Sequence, residues 1–168
     1  MTIGLISIDL AIRQTGIAYF DATGHLVNTV TIPKTLGTRY KVLDLVELAS
    51  MSSPIGFGKY LEKGVPIIVE WNTSALSHLL EKFTISAISY WYGLGYDVIP
   101  VQANHWIKVA DRVYAVKRNK YPPGRENNKR WIHELASRFW PKWEFKSQDE
   151  MDAAVMGITY LNNKICFK

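Results

Sequence analysis

Ile3-Gly4-Leu5-Ile6-Ser7-Ile8-Asp9-Leu10 is a short, almost unbroken apolar run that closes on a carboxylate. A run of this kind suits a strand covered on both faces, and here it is read as the central strand of the fold. Burying an unpaired carboxylate costs several kcal/mol. Asp9 is therefore expected at the rim where the strand runs out, with a cation or donor beside it. An Asp at a strand end also starts turns, so its meaning depends on what the rest of the chain brings to the same edge.

Downstream, Arg13-Gln14-Thr15-Gly16 is a polar turn, Ile17 to Asp21 reads as a second strand, and Ala22-Thr23-Gly24-His25 as a hairpin loop. Leu26 to Ile32 alternates as a third strand, so tight turns join three strands into an antiparallel meander. From Thr38 to Met51 the apolar residues recur at helical spacing. Val65-Pro66-Ile67-Ile68-Val69-Glu70 then repeats the opening pattern, an apolar strand ended by a lone acid. Reached through a helical crossover, it is expected to run parallel to the first strand.

Leu76, Leu79, Leu80, Phe83, Ala87, Tyr90 and Trp91 fall on one face of an amphipathic helix that Gly93 is placed to stop. Asp97 to Val101 reads as a fifth strand, and Gln102 to Val116 as a less regular helical stretch. Tyr121-Pro122-Pro123-Gly124 is a loop, Trp131 to Phe139 a helix ended by Pro141, and Ser147-Gln148-Asp149-Glu150 a capping box opening the last helix.

The bulk numbers narrow the class. At 168 residues, 48% of them hydrophobic and 21% charged, the chain can bury a sizeable core and fits one domain. No apolar run is long enough to span a bilayer, and no signal-like segment opens the chain. Cys166 is the single cysteine, which excludes an intrachain disulfide and cysteine-rich zinc sites and fits a reducing, cytoplasmic setting. The net charge of +5 favours a polyanionic partner. Its distribution says more, because residues 117 to 130 hold Lys117, Arg118, Lys120, Arg125, Lys129 and Arg130 against one Glu. Tyr121 and Trp131 are the aromatics beside this patch.

If the first and fourth strands are parallel neighbours, Asp9 and Glu70 end about 5 Å apart at one sheet edge. Asp149 and Asp152, three apart in the first turn of the last helix, project from one face. Packing that face on the central strand would gather four carboxylates, which cannot all stay ionised without cations. Hard divalent ions with oxygen ligands resolve the repulsion, magnesium being the natural choice with manganese as a substitute. A pair of such ions can drive phosphodiester hydrolysis.

Ile8-Asp9 followed by Thr15-Gly16, then Val69-Glu70, then Asp149-Glu150-Met151-Asp152-Ala153-Ala154 before an apolar helix resembles the RuvC family of Holliday junction resolvases, in a phage-type form. The resemblance implies an α/β fold of RNase H-like type. Its sheet would be five-stranded and mixed, a three-strand antiparallel meander plus two parallel strands, flanked by helices, with residues 1–168 forming one nuclease domain. It further implies a homodimeric, magnesium-dependent endonuclease of branched DNA and four-way junctions, acting in the cytoplasm of a bacterium or a phage-infected host. Asp9, Glu70, Asp149 and Asp152 would be its catalytic metal ligands. Lys108, Lys117, Arg118, Lys120, Arg125, Lys129 and Arg130 would hold DNA, and the helix from Ala75 to Tyr92 would form the dimer surface.

This chain departs from the family in two places. Leu10-Ala11 stands where a Pro-Gly pair usually follows the first Asp, and Thr73 stands where bacterial members carry an aromatic wedge. Trp71 is either a substitute wedge or a core residue. Three other readings remain open on the sequence: a flap nuclease, an RNA:DNA hybrid nuclease, and a non-cleaving junction-binding protein. The intact acid set disfavours the last. An actin-like or sugar-kinase ATPase, whose first phosphate loop also begins Ile-Asp-Leu, needs two domains and far more chain.

Overall fold

The computed structural model describes residues 2–11, 14–32, 64–71, 78–114 and 124–163. Five strands, β1 (Ile3–Asp9), β2 (Thr15–Asp21), β3 (Leu26–Ile32), β4 (Pro66–Trp71) and β5 (Asp97–Gln102), form one mixed sheet in the order β3-β2-β1-β4-β5. The opening run is indeed the middle strand. It pairs antiparallel with β2 and parallel with β4, and β4 pairs parallel with β5. Among the described residues four helices accompany the sheet: α1 (His78–Gly93), α2 (Ala103–Tyr114), α3 (Arg125–Phe139) and α4 (Gln148–Asn162). The sheet is thus the expected RNase H-like one. The helix expected over residues 38 to 51 lies outside the described residues.

Strand periodicity sorts the core into two layers. Ile6, Ile8, Ile17, Tyr19, Ile67 and Val69 face one way and pack with Ala87 and Trp91 of α1. Leu5, Ala18, Phe20 and Ile68 face the other way, under Trp106 and Ala110 of α2, Trp131 and Leu135 of α3, and Ala153 to Met156 of α4. The register slips between Ile3 and Leu5, which lets these two residues, two apart, serve opposite layers. By the same alternation Asp9 and Glu70 fall on the side that carries α2, α3 and α4.

Some boundaries differ from the sequence expectation. β2 begins at Thr15, two residues earlier than its apolar run. The stretch after Gln102 is a regular helix, α2, because Trp106, Val109 and Ala110 give it a buried stripe. α3 begins at Arg125, so Lys129 and Arg130 ride on a helix six residues upstream of where the apolar pattern alone starts it. Residues 115–123, with Lys117, Arg118 and Lys120, are outside the described residues.

α4 crosses β1 and β2 at very short range, and small residues make that possible. A Cβ on Gly157 would collide with the Phe20 ring and come within 3.1 Å of the Ser7 Cβ. Phe20 is fully buried and tilted against Trp140, with ring centroids 6.4 Å apart, so it has nowhere to retreat. Replacing a helical Gly with Ala ordinarily gains about 1 kcal/mol, whereas overpacking a tight core costs about 1–3 kcal/mol. Gly157→Ala is expected to lower stability by up to about 2 kcal/mol net, read as a drop in urea midpoint at unchanged slope; a rise would show that α4 can lift off the sheet freely.

Candidate metal centre

Asp9 and Glu70 are brought together by the parallel ladder. Ile8 is paired with Val69, so the next residue on each strand is an acid at the same sheet edge. Asp9 is 8% exposed, and Glu70 is half-buried at the end of β4. Asp149 arrives on the first turn of α4 and Asp152 at the start of the next, on a helix begun by Ser147, whose hydroxyl accepts from the Glu150 amide at 3.1 Å. Carboxylate oxygens of Asp9, Asp149 and Asp152 lie within 4.8 Å of one another. Glu70 stands close enough to raise the carboxyls of Asp9 and Asp152 electrostatically.

Gly16 sets how near α4 can come. A side chain there would overlap the backbone carbonyl of Asp149 and the amide of Glu150. The Thr15-Gly16 pair therefore has a physical function: the missing Cβ of Gly16 lets the turn that carries Asp149 rest on β2.

Each acid is shaped by its neighbours. Glu70 Oε2 accepts from the indole Nε1 of Trp106 at 2.9 Å, and Trp106 is itself buried. Asp152 Oδ1 accepts from Gln148 Nε2 at 2.9 Å. Burial, and then Glu70, Asp152 and Asp149 in that order, hold the Asp9 carboxyl well above the ordinary carboxylate range. Burial also raises Glu70, against the opposing pull of the Trp106 hydrogen bond. Asp152 is pushed up to about 7, mainly by burial and then by Glu70 and Asp149, with Gln148 and Lys129 pulling the other way. These are the shifts of anions crowded together in a poorly solvated corner. The all-oxygen donor set fits a hard divalent cation, and the three aspartates are near enough to share one.

The basic residues divide. Lys129 on α3 lies close enough to Asp152 to lower its pKa, and is ion-paired to Glu126 at 3.4 Å with 40% of its side chain exposed. Lys108 and Arg130 are exposed on α2 and α3. Arg125 opens α3. Trp71 is half-buried beside Glu70, and its buried indole nitrogen has no hydrogen-bond partner among the described residues. Trp106 and Gln148 escaped the sequence reading. A Trp at helical spacing reads as core, and its indole donor finds Glu70 only through the fold.

The crowding has a consequence for stability. Between the ordinary 3.8 and about 7, Asp152 keeps its proton in the folded chain and loses it in the unfolded one. The native state then binds more protons, so stability falls as pH rises through that window and the full cost stands above it. In chelator, Asp152→Asn is therefore expected to be more stable than the unsubstituted chain at pH 8 and to lose that advantage at pH 4. Denaturation midpoints at the two pH values check this, and a variant no more stable at pH 8 would mean that the carboxylate is not under electrostatic stress.

No family model matches the sequence, and no curated protein matches it. Solved structures do match. RuvC from Thermus thermophilus in complex with a Holliday junction substrate superposes with a TM-score of 0.65 at 9% identity, over 98% of this chain and 95% of that one. The resolvase of Fowlpox virus, in complex with its substrate Holliday junction DNA, superposes with a TM-score of 0.60 at 13% identity, over 98% of this chain and 99% of the other. At such identities the likeness is one of architecture: the chain has, over nearly its whole length, the RNase H-like fold of the RuvC and poxvirus resolvases.

Proposed function

We propose that this protein is a structure-selective endonuclease that hydrolyses phosphodiester bonds in four-way DNA junctions with divalent metal ions. The observation that carries the reading is the convergence of Asp9, Asp149 and Asp152, with Glu70 beside them, at one edge of a resolvase-like sheet. Magnesium ions held by these four acids would supply activation of a water and neutralisation of charge on the leaving oxygen, with manganese able to substitute. The chain's own contribution is placement. β1 and β4 hold two acids rigidly, α4 lowers two more onto them, and Trp106 and Gln148 orient the carboxylates of Glu70 and Asp152.

Branched DNA would lie across the basic groups of α2, α3 and the segment between them. Lys108, Arg125, Lys129 and Arg130 stand on α2 and α3, and Lys117, Arg118 and Lys120 belong to the segment between these helices. Phosphate contacts of this sort position DNA without reading its sequence. A four-way junction has two equivalent strands to cut, which asks for two sites related by a two-fold axis. A homodimer through α1 would supply them, a reading supported by exposed Ile85, Tyr92 and Leu94 on and just beyond that helix.

The deciding experiment offers purified protein synthetic junction, flap, duplex and RNA:DNA hybrid substrates with and without magnesium. Symmetric nicks in the junction, abolished by chelator, are the expected result; preferential cutting of flap or hybrid would reassign the substrate. Asp9→Asn, Glu70→Gln, Asp149→Asn and Asp152→Asn should each lower cleavage at least 100-fold while leaving junction binding largely intact. A variant that cut at the unsubstituted rate would remove its residue from the site. Replacing Lys108 and Arg130 with Ala should do the reverse, weakening binding and flattening its log–log salt slope by up to about two units while cleavage at saturating protein persists. Sedimentation at micromolar concentration tests the dimer, and a monomer making paired cuts would defeat the two-site argument.

A further inference from the structure

Glu150 lies between two site acids in sequence yet faces away from them into the protein. It is fully buried, 0% exposed. Its oxygens collect three donors: Thr31 Oγ1 at 2.6 Å on Oε1, and Thr29 Oγ1 at 3.0 Å and the Lys146 amide at 2.9 Å on Oε2. The hydroxyl protons can be followed round the cluster. Thr31 gives its proton to Glu150, so the Ser147 hydroxyl, 2.8 Å from Thr31 Oγ1, must donate to it while accepting from the Glu150 amide. Thr29 likewise gives its proton to Glu150 and accepts from Trp143 Nε1 at 3.2 Å. Every hydroxyl in the circuit has a defined role.

A capping box would turn this carboxylate back to the amide of the N-cap residue. Here it accepts from the residue before the N-cap and otherwise reaches β3, more than a hundred residues earlier in the chain. The side chain therefore does tertiary work. The same turn is stopped from below by β2 at Gly16, where no side chain intervenes. Held on one side and stopped on the other, the first turn of α4 has one position relative to Asp9.

We propose that Glu150, with Thr29 and Thr31, is a positioning residue that sets where Asp149 and Asp152 meet Asp9, and so governs divalent-ion affinity at that site. The inference rests on the metal-nuclease reading above. Partners behind a ligand shell typically change metal affinity or activity about 10- to 100-fold when removed.

The test uses the full chain bearing Glu150→Gln, Glu150→Ala or Thr31→Val. Manganese binding is read by electron paramagnetic resonance, well below each variant's melting temperature, and amide hydrogen exchange is followed along α4. For Glu150→Gln the expected result is manganese affinity weakened about 10- to 100-fold, faster exchange in the first turn of α4 but not in its last, and unchanged junction binding. Thr31→Val should shift the same readouts in the same direction by less. Should Glu150→Ala fail to fold, the other two variants decide. Folded variants that bind manganese as the unsubstituted chain does would overturn the proposal. If the unsubstituted chain itself held no manganese sensitive to Asp152→Asn, the metal reading would fall. The exchange data would still judge Glu150, and an unchanged first turn would overturn its positioning role.

Discussion

The first turn of α4 rests on the backbone of β2 at Gly16 with no side chain between them, and most of the candidate site follows from that contact. A helix normally packs on a sheet through interdigitated side chains. Here small residues at Gly16, Ser7, Ala153, Ala154 and Gly157 remove that padding. The helix then comes low enough for Asp149 and Asp152 to reach an acid at the end of a sheet strand. A side chain at Gly16 would collide with the backbone of Asp149 and Glu150, so packing and the acid cluster are set there by the same atoms.

Gathering four carboxylates opposes folding, and the structure shows what offsets it. The two core layers bury large apolar side chains on both faces of the sheet, including fully buried Leu5, Ile6, Ile8, Ile67 and Ile68 on the strands that carry the acids and Phe20 on the strand beside them. Hydrogen bonds from Trp106 and Gln148, and the nearby charge of Lys129, relieve part of the stress locally. The remaining repulsion is what a divalent cation would relieve. A site that is uncomfortable when bare binds such an ion more tightly, because binding removes a cost that folding has already accepted.

Glu150 shows that two carboxylates one residue apart can serve opposite ends. Asp149 faces a crowd of anions; Glu150 faces three donors and is the fully buried acid of the pair. The helical rotation of about 100° per residue separates them. The anionic side chain in the first turn also suits the positive end of the helix.

Much of this was legible in the residues themselves. Apolar runs closed by Asp9 and Glu70, the alternation of the meander and the Ser147 cap are local signals, governed by burial and backbone hydrogen bonding over a few residues. They were enough to place a central strand and a parallel partner, each ended by an acid at the same sheet edge. Other features depend on which distant residues the folded sheet brings opposite one another, and no local pattern carries that information. Trp106 reads as a core aromatic until α2 sets its indole against Glu70, 36 residues away. Glu150 reads as half of a capping box until β3 presents two threonines to it. Lys129 reads as one cation in a basic run until α3 carries it beside Asp152. The sequence by itself determined the strands and the acids that end them, because burial acts residue by residue; only the tertiary structure decided the partners that hold and tune those acids, because a hydrogen bond or a Coulomb interaction depends on distance in space.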